Sequence, residues 1–172
     1  PKKLSRQKYT KLLKGIRDSK KATKIEREEW ARKAKVWHKE EQIIFAVTLI
    51  SSKTIDTVGI VPSIRKALVS GLKKLSAKES DRIFLDGGLY APEIFYKQTT
   101  IIKGDDKEPL IALAATIAKV TRDKYMVRMA KVYPHYAFES HKGYGTKQHL
   151  QALKEHGISK IHRKTFLKNI DR

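Results

Sequence analysis

An α/β fold is predicted by three features of the sequence. Short runs rich in β-branched and aromatic residues recur at 42–51 (QIIFAVTLIS), 82–86 (RIFLD) and 97–103 (KQTTIIK). Around them lie stretches with apolar residues three and four apart, the spacing of helices. The chain has 172 residues, 40% of them hydrophobic, so residues 1–172 are expected to form a single domain with a buried core.

Residues 1–22 are basic and mostly polar and carry no assigned element. Thr23-Lys24-Ile25-Glu26 reads as a capping box, with Thr23 at the N-cap and Glu26 at N3. The helix it opens should run to about Lys39, burying Trp30, Ala34 and Trp37. Gln42 to Ser51 then reads as a buried strand. A turn or short helix follows, broken at Gly59. Pro62 suits the first turn of a further helix with Ile64, Leu68, Leu72 and Leu75 on one face. Arg82 to Asp86 is the second strand, stopped by Gly87-Gly88. Lys97 to Lys103 is the third, stopped by Gly104-Asp105-Asp106. The longest helix spans about Glu108 to Val132. It carries Leu110, Leu113, Ile117 and Val120 in a row, with alanines between them that allow close approach to a sheet. His135 to Thr146 reads as an ordered loop. Thr146 caps a last helix, which Gly157 closes near His156.

Charge narrows the function. Lys and Arg number 38 against 18 Asp and Glu, a net +20, which points to a polyanionic partner. A merely solvated lysine surface is the bland alternative. Nucleic acid suits the charge better than a membrane surface, since no long basic amphipathic helix with a bulky apolar face stands out. No run approaches the ~20 apolar residues of a membrane span, and no apolar stretch follows Pro1-Lys2-Lys3 as in a secretory leader. Zero Cys excludes disulfides, thiolate zinc sites and a cysteine nucleophile, and agrees with a cytoplasmic location. The six His do not pair at metal spacing, and no Ser lies in a GxSxG elbow.

Aspartates inside or beside apolar runs are the candidates for chemistry. Asp86 ends a strand, where ligands of α/β sheets tend to bind, and two glycines follow it. A carboxylate there suits metal or phosphate chemistry. It equally suits a turn, because Asp-Gly is a common turn pair. Asp123 interrupts the long helix off its apolar row. It is either functional or a solvated Asp paired with Arg122, Lys119 or Lys124. Asp105 and Asp106 are expected to cap the next helix. Asp18-Ser19-Lys20 lies in a basic loop and offers a hydroxyl and a cation for a phosphate, or simply a turn. His141-Lys142-Gly143-Tyr144-Gly145-Thr146 combines a cation, an aromatic ring and glycines, a mixture suited to stacking on a sugar or base beside a phosphate.

Six segments together resemble ribonuclease HII. They are Gly15 to Lys21 (GIRDSKK), Phe84 to Gly87 (FLDG), Ile101 to Asp105 (IIKGD), Ile117 to Asp123 (IAKVTRD), the loop His141 to Thr146, and His162-Arg163 with Phe166. They occur in that family's order and cover nearly the whole chain. The resemblance implies a ribonuclease H-like fold, a mixed five-stranded sheet flanked by helices. It implies hydrolysis of the RNA strand of RNA–DNA hybrids, including single ribonucleotides embedded in duplex DNA. Four acidic residues of the family hold two Mg²⁺ or Mn²⁺ ions, and Asp86 and Asp123 match two of them. Tyr144 matches the family's tyrosine that packs on the sugar at the RNA–DNA junction. Asp18, Ser19, Lys20 and Lys142 fall where family members approach the substrate backbone. A monomer is expected.

One departure matters. Family members begin with a strand carrying Asp-Glu-Ala-Gly-Arg-Gly-Pro or a close variant, which supplies the other two acids, and no such stretch occurs in these 172 residues. In two-metal hydrolysis the ions lie ~4 Å apart. Two dications that close need more negative charge than two aspartates provide, so these residues alone are expected to be inactive or nearly so. The readings are then a ribonuclease HII with its N-terminal strand region missing here, or a catalytically dead protein that binds hybrid duplexes. A basic binding protein, with Asp86 and Asp123 structural, would need six accidental matches.

Overall fold

In the computed structural model, which describes residues 5–167, Thr23 opens its helix as the capping box requires. Its hydroxyl accepts the Glu26 N–H at 3.2 Å and the Glu26 carboxylate accepts the Thr23 N–H at 2.7 Å. Two orphan donors of the first turn are thereby satisfied reciprocally. The readings that touch Pro1 to Lys3 and the tail beyond Leu167 lie outside the described residues.

In chain order the helices are α1 (Arg6–Leu12), α2 (Lys24–Lys39), α3 (Ser52–Val58) and α4 (Ile60–Lys74). Strands β1 (Ile83–Asp86) and β2 (Gln98–Ile101) come next, then α5 (Gly104–Lys107), α6 (Pro109–Val132), α7 (Phe138–His141) and α8 (Lys147–His156). Short 3-10 turns occupy Pro134–Tyr136 and Lys164–Phe166. The chain divides into two units, residues 1–48 with 65–120 and residues 49–64 with 121–172.

The first unit is built around α2, the early turns of α6 and the two strands. Trp30 and Trp37 of α2 flank the fully buried Ala34, and the three pack with Leu13, Leu113 and Ile117. The sequence suggests nothing for residues 1–22, yet α1 lies there, capped by the Ser5 hydroxyl. β1 and β2 pair in parallel, with Ile83 opposite Gln98 and Asp86 opposite Ile101. The connection between them is irregular and is pinned by β2 itself. Gln98 Oε1 accepts the Ala91 N–H at 2.8 Å, and the Thr100 hydroxyl donates to the Leu89 carbonyl at 2.8 Å. Leu68 and Leu72 of α4 cover this ladder through Leu85, Ala91 and Phe95.

Three expectations need correction in this unit and the next. Residues 43–50 belong to no ladder. Ile43, Phe45 and Val47 pack on the α2 cluster while Ile44 is exposed, but Leu49, which an alternating segment would turn inward with them, is exposed as well, so the alternation stops after Val47. A strand needs a neighbour to take its backbone groups, and among the described residues only β1 and β2 supply one another. Asp105 and Asp106 do not cap a helix. They sit inside the single turn of α5, whose N-cap residue Lys103 makes no side-chain cap. The loop 135–146 in turn contains a 3-10 turn and the one-turn α7.

The second unit packs the later turns of α6 against α8 and the aromatic segment between them. Tyr136 and Phe138 stack in parallel 5.3 Å apart over Met126, Ala152 and Leu153. Ser51 caps α3 and Gly59 ends it at φ 85°. Asp56 of α3 accepts the backbone N–H groups of Lys164 and Thr165 at 2.8 and 3.1 Å and the Thr165 hydroxyl at 2.7 Å, tying the 3-10 turn at Lys164–Phe166 to α3. Among the described residues, no helix is long and apolar enough to cross a membrane.

Candidate active site

Asp86 is the last residue of β1, and its carboxylate is held. Oδ1 accepts the Gly104 N–H at 2.8 Å. The glycine that permits this is Gly104, not the Gly87-Gly88 pair that the sequence suggests. A Cβ at position 104 would stand 3.2 Å from Asp86 Oδ1 and 2.6 Å from Ile111 Cδ1, whereas one at 87 or 88 would meet nothing within 4 Å. Gly87 serves the turn instead, at φ 61°. Gly104→Ala is therefore expected to lower stability by about 1–2 kcal/mol through overpacking and to push the Asp86 carboxylate aside. Gly88→Ala, entering open space, should stay within about 0.5 kcal/mol. Urea midpoints of the two variants test the contrast.

Asp18 comes together with Asp105 and Asp106, their carboxylate oxygens lying within 4.8 Å of one another. That spacing would suit a cation, but two ammonium groups already hold it. Lys21 Nζ binds both oxygens of Asp106 at 2.7 and 2.8 Å, and Lys20 Nζ lies 3.6 Å from Asp105. The hydrogen bond from Lys21 keeps the Asp106 carboxyl below the usual carboxylate range and raises Lys21 in return. Asp18 Oδ1 also accepts the Lys20 N–H at 2.8 Å, closing a local turn. Asp18 and Ser19 are buried while the Lys20 side chain is exposed. Of the three, Lys20 is the one that faces water.

In the second unit Asp123 lies on α6, with its side chain 22% exposed and 3.6 Å from Arg122 Nη1. The local pairing weighed in the sequence is thus present, yet Arg122 does more than neutralise. Its Nη2 donates to the Lys142 carbonyl at 3.0 Å, and its guanidinium lies 4.9 Å from the centre of the exposed Tyr144 ring. One arginine joins Asp123, Lys142 and Tyr144. The Lys142 ammonium turns back to the Glu139 carbonyl. Sequence reasoning weighs Arg122 only as a local partner of Asp123. Its meeting with a loop twenty residues away leaves no periodic signal.

Asp86 and Asp123 offer carboxylate oxygens, the hard ligands that Mg²⁺ and Mn²⁺ prefer. A carboxylate has about four lone-pair sites, so one bond from Gly104 leaves capacity for an ion and fixes the group's orientation.

Comparison with known proteins identifies the family. A family profile described as Ribonuclease HII matches residues 3–169. The ribonuclease HII of Caldicellulosiruptor bescii is 40% identical over 160 residues, covering 93% of this chain and 75% of its own length. That of Shouchella clausii is 39% identical over 154 residues, covering 90% of this chain and 57% of its own length. That of Clostridioides difficile is 40% identical over 158 residues, 92% of this chain and 60% of its own length. The chain thus spans 57 to 75% of these relatives. Its helices and parallel strands are consistent with a ribonuclease H-like α/β fold, and a profile match over nearly every residue leaves one assignment: the chain belongs to the ribonuclease HII family.

Proposed function

We propose that this chain serves in cutting the RNA strand of RNA–DNA hybrids, and duplex DNA at single embedded ribonucleotides, with Asp86 and Asp123 as ligands for Mg²⁺ or Mn²⁺. The observation that carries the reading is the Arg122 junction, which sets an acid, a loop carbonyl and an exposed aromatic ring around one guanidinium. An aromatic ring next to a fixed cation suits a sugar at a strand junction, with its phosphate nearby. When bound, the metal ions would supply an activated water and stabilise the leaving oxygen. Asp86 and Asp123 would orient them, Tyr144 would pack on the sugar, and Lys20 and Lys142 would lie along the backbone. The excess of Lys and Arg would hold the duplex.

These 172 residues hold two of the four carboxylates that the family resemblance implies, so on their own they should cut weakly or not at all. That same count favours a second reading, binding of hybrid duplexes without cleavage. A duplex with one ribonucleotide, incubated with Mn²⁺ or Mg²⁺, separates the two. Cutting on the 5′ side of the ribonucleotide, by this chain or by one extended with an Asp-Glu-Ala-Gly-Arg-Gly segment, supports the nuclease. Tight binding with no cutting by either form supports the binder.

Binding is expected to weaken steeply with salt through counterion release. Six phosphate contacts would lose about 10³-fold in affinity between 50 and 200 mM salt. A titration of fluorescently labelled hybrid duplex measures the slope. A flat slope would remove the basic surface from the docking face.

A further inference from the structure

Three buried histidines stand behind the Tyr144 loop, and nothing in the proposed chemistry uses them. His141, His149 and His162 form a column of rings with centroids 4.5 and 5.3 Å apart. Each ring nitrogen has a partner, and the partners fix the tautomers. His162 Nδ1 accepts the Ser159 N–H at 2.8 Å, so its proton sits on Nε2. That Nε2–H faces His149 Nε2 at 3.0 Å, which must accept. The proton of His149 is then on Nδ1, which donates to the Tyr144 carbonyl at 2.9 Å. His141 closes the other end, accepting the Gly143 N–H at 3.1 Å on Nδ1 and donating from Nε2 to the Tyr136 carbonyl at 2.7 Å.

We propose that His149 and His162 are positioning residues: a neutral hydrogen-bond relay, Ser159 to His162 to His149 to the Tyr144 carbonyl, that sets the pose of the Tyr144 loop. The Tyr144 carbonyl accepts two bonds, from His149 and from the Thr146 N–H at 2.8 Å, so its direction is fixed. Lys142 lies in the left-handed region at φ 53°, a conformation that a non-glycine residue keeps only where its surroundings hold it. Arg122 braces the Tyr144 ring from the other side. A proton added to either histidine breaks the relay, because two N–H groups would then face each other. The ionisable groups packed on the pair are His141 of α7, stacked on His149, and Tyr136, whose ring lies 5.0 Å from that of His162. Neither is a carboxylate that could offset the added proton. The nucleic-acid side of this proposal rests on the placing of Tyr144 at the sugar.

The test has one arm without nucleic acid and one with it. Long-range proton–nitrogen NMR of the whole chain at pH 7.5 should show His149 protonated on Nδ1 and His162 on Nε2. The amides of Gly143 to Thr146 should shift together as pH falls toward 4. Either ring in the opposite tautomer, or both charged at pH 7.5, overturns the relay. In the second arm, His149→Gln lacks the donor to Tyr144 and should lose about tenfold in preference for a ribonucleotide-containing duplex over all-DNA, the size of one hydrogen bond. His162→Gln, whose amide can replace the Nε2–H donor, should keep most of that preference. In a Tyr144→Ala background, His149→Gln should add no further loss. Equal losses from both glutamines on both duplexes would mean a structural role only, and overturn the proposal. If Tyr144→Ala itself leaves the preference intact while the tautomers are as stated, the relay stands and the placing of Tyr144 at the sugar fails.

Discussion

Asp123→Asn is expected to lower divalent-dependent cutting roughly 10²–10³-fold or more while leaving duplex binding within a few-fold. The experiment belongs in a chain extended to carry all four carboxylates of the family pattern, cut under single-turnover conditions with Mg²⁺ or Mn²⁺. Asparagine keeps the size and shape of the side chain and removes only its charge, so α6 should persist. Arg122 would lose the carboxylate 3.6 Å away but keep the Lys142 carbonyl and the Tyr144 ring. The variant thereby separates the proposed binding platform from the proposed metal ligand. Asp86→Asn should do the same to cutting. Its remaining oxygen can still accept the Gly104 N–H that now meets Oδ1, so the end of β1 should stay in place. Normal cutting by either variant would take that residue out of the metal site. A large loss of binding would mean that the charge organises the loop rather than the ion.

What the sequence made legible was local. The capping box at Thr23, the Thr146 cap of α8, the Trp30–Ala34–Trp37 stripe and the long row of α6 each depend on residues within a few positions of one another. The structure reproduces all of them. Residues 43–50 show the limit of such reasoning. Their run of β-branched and aromatic residues suits an extended strand, but pairing depends on a neighbouring backbone that the run cannot supply. Gly104 was hidden for a related reason. Its need to be glycine comes from Asp86 and Ile111, one at the end of β1 and one on the next helix. Asp86 and Asp123 were visible as acids out of place in apolar runs. Arg122 and the histidine column were not, since the contacts that join them, His149 to His162 and Arg122 to Lys142 and Tyr144, span 13 to 22 residues and alter no periodicity.

Stability is expected to fall as the pH drops from about 7 toward 4, well before carboxylates titrate in bulk. Burial is the main cause, pushing the His162 ring down to about 4, with His149 adding to it. Burial also lowers His149. Both groups are thus harder to protonate in the folded chain than in the unfolded one, where histidine titrates near 6.5. Between the folded and unfolded values the unfolded state binds more protons, so stability rises with pH across that window and is level above it. For His162 the loss should reach about 1–2 kcal/mol at pH 5, allowing for water that still reaches the ring. The carboxylates held low by partners act in a separate window. Glu26, lowered to about 2 chiefly by the Thr23 backbone N–H, withdraws its contribution only as the pH falls below about 4.5. Urea unfolding at pH 7.5 and pH 5 measures the difference, and His162→Gln should flatten it because glutamine does not titrate. An unchanged midpoint in the unaltered chain would show that His149 and His162 accept protons as readily when folded as when unfolded, so that breaking the relay behind Tyr144 costs the fold nothing.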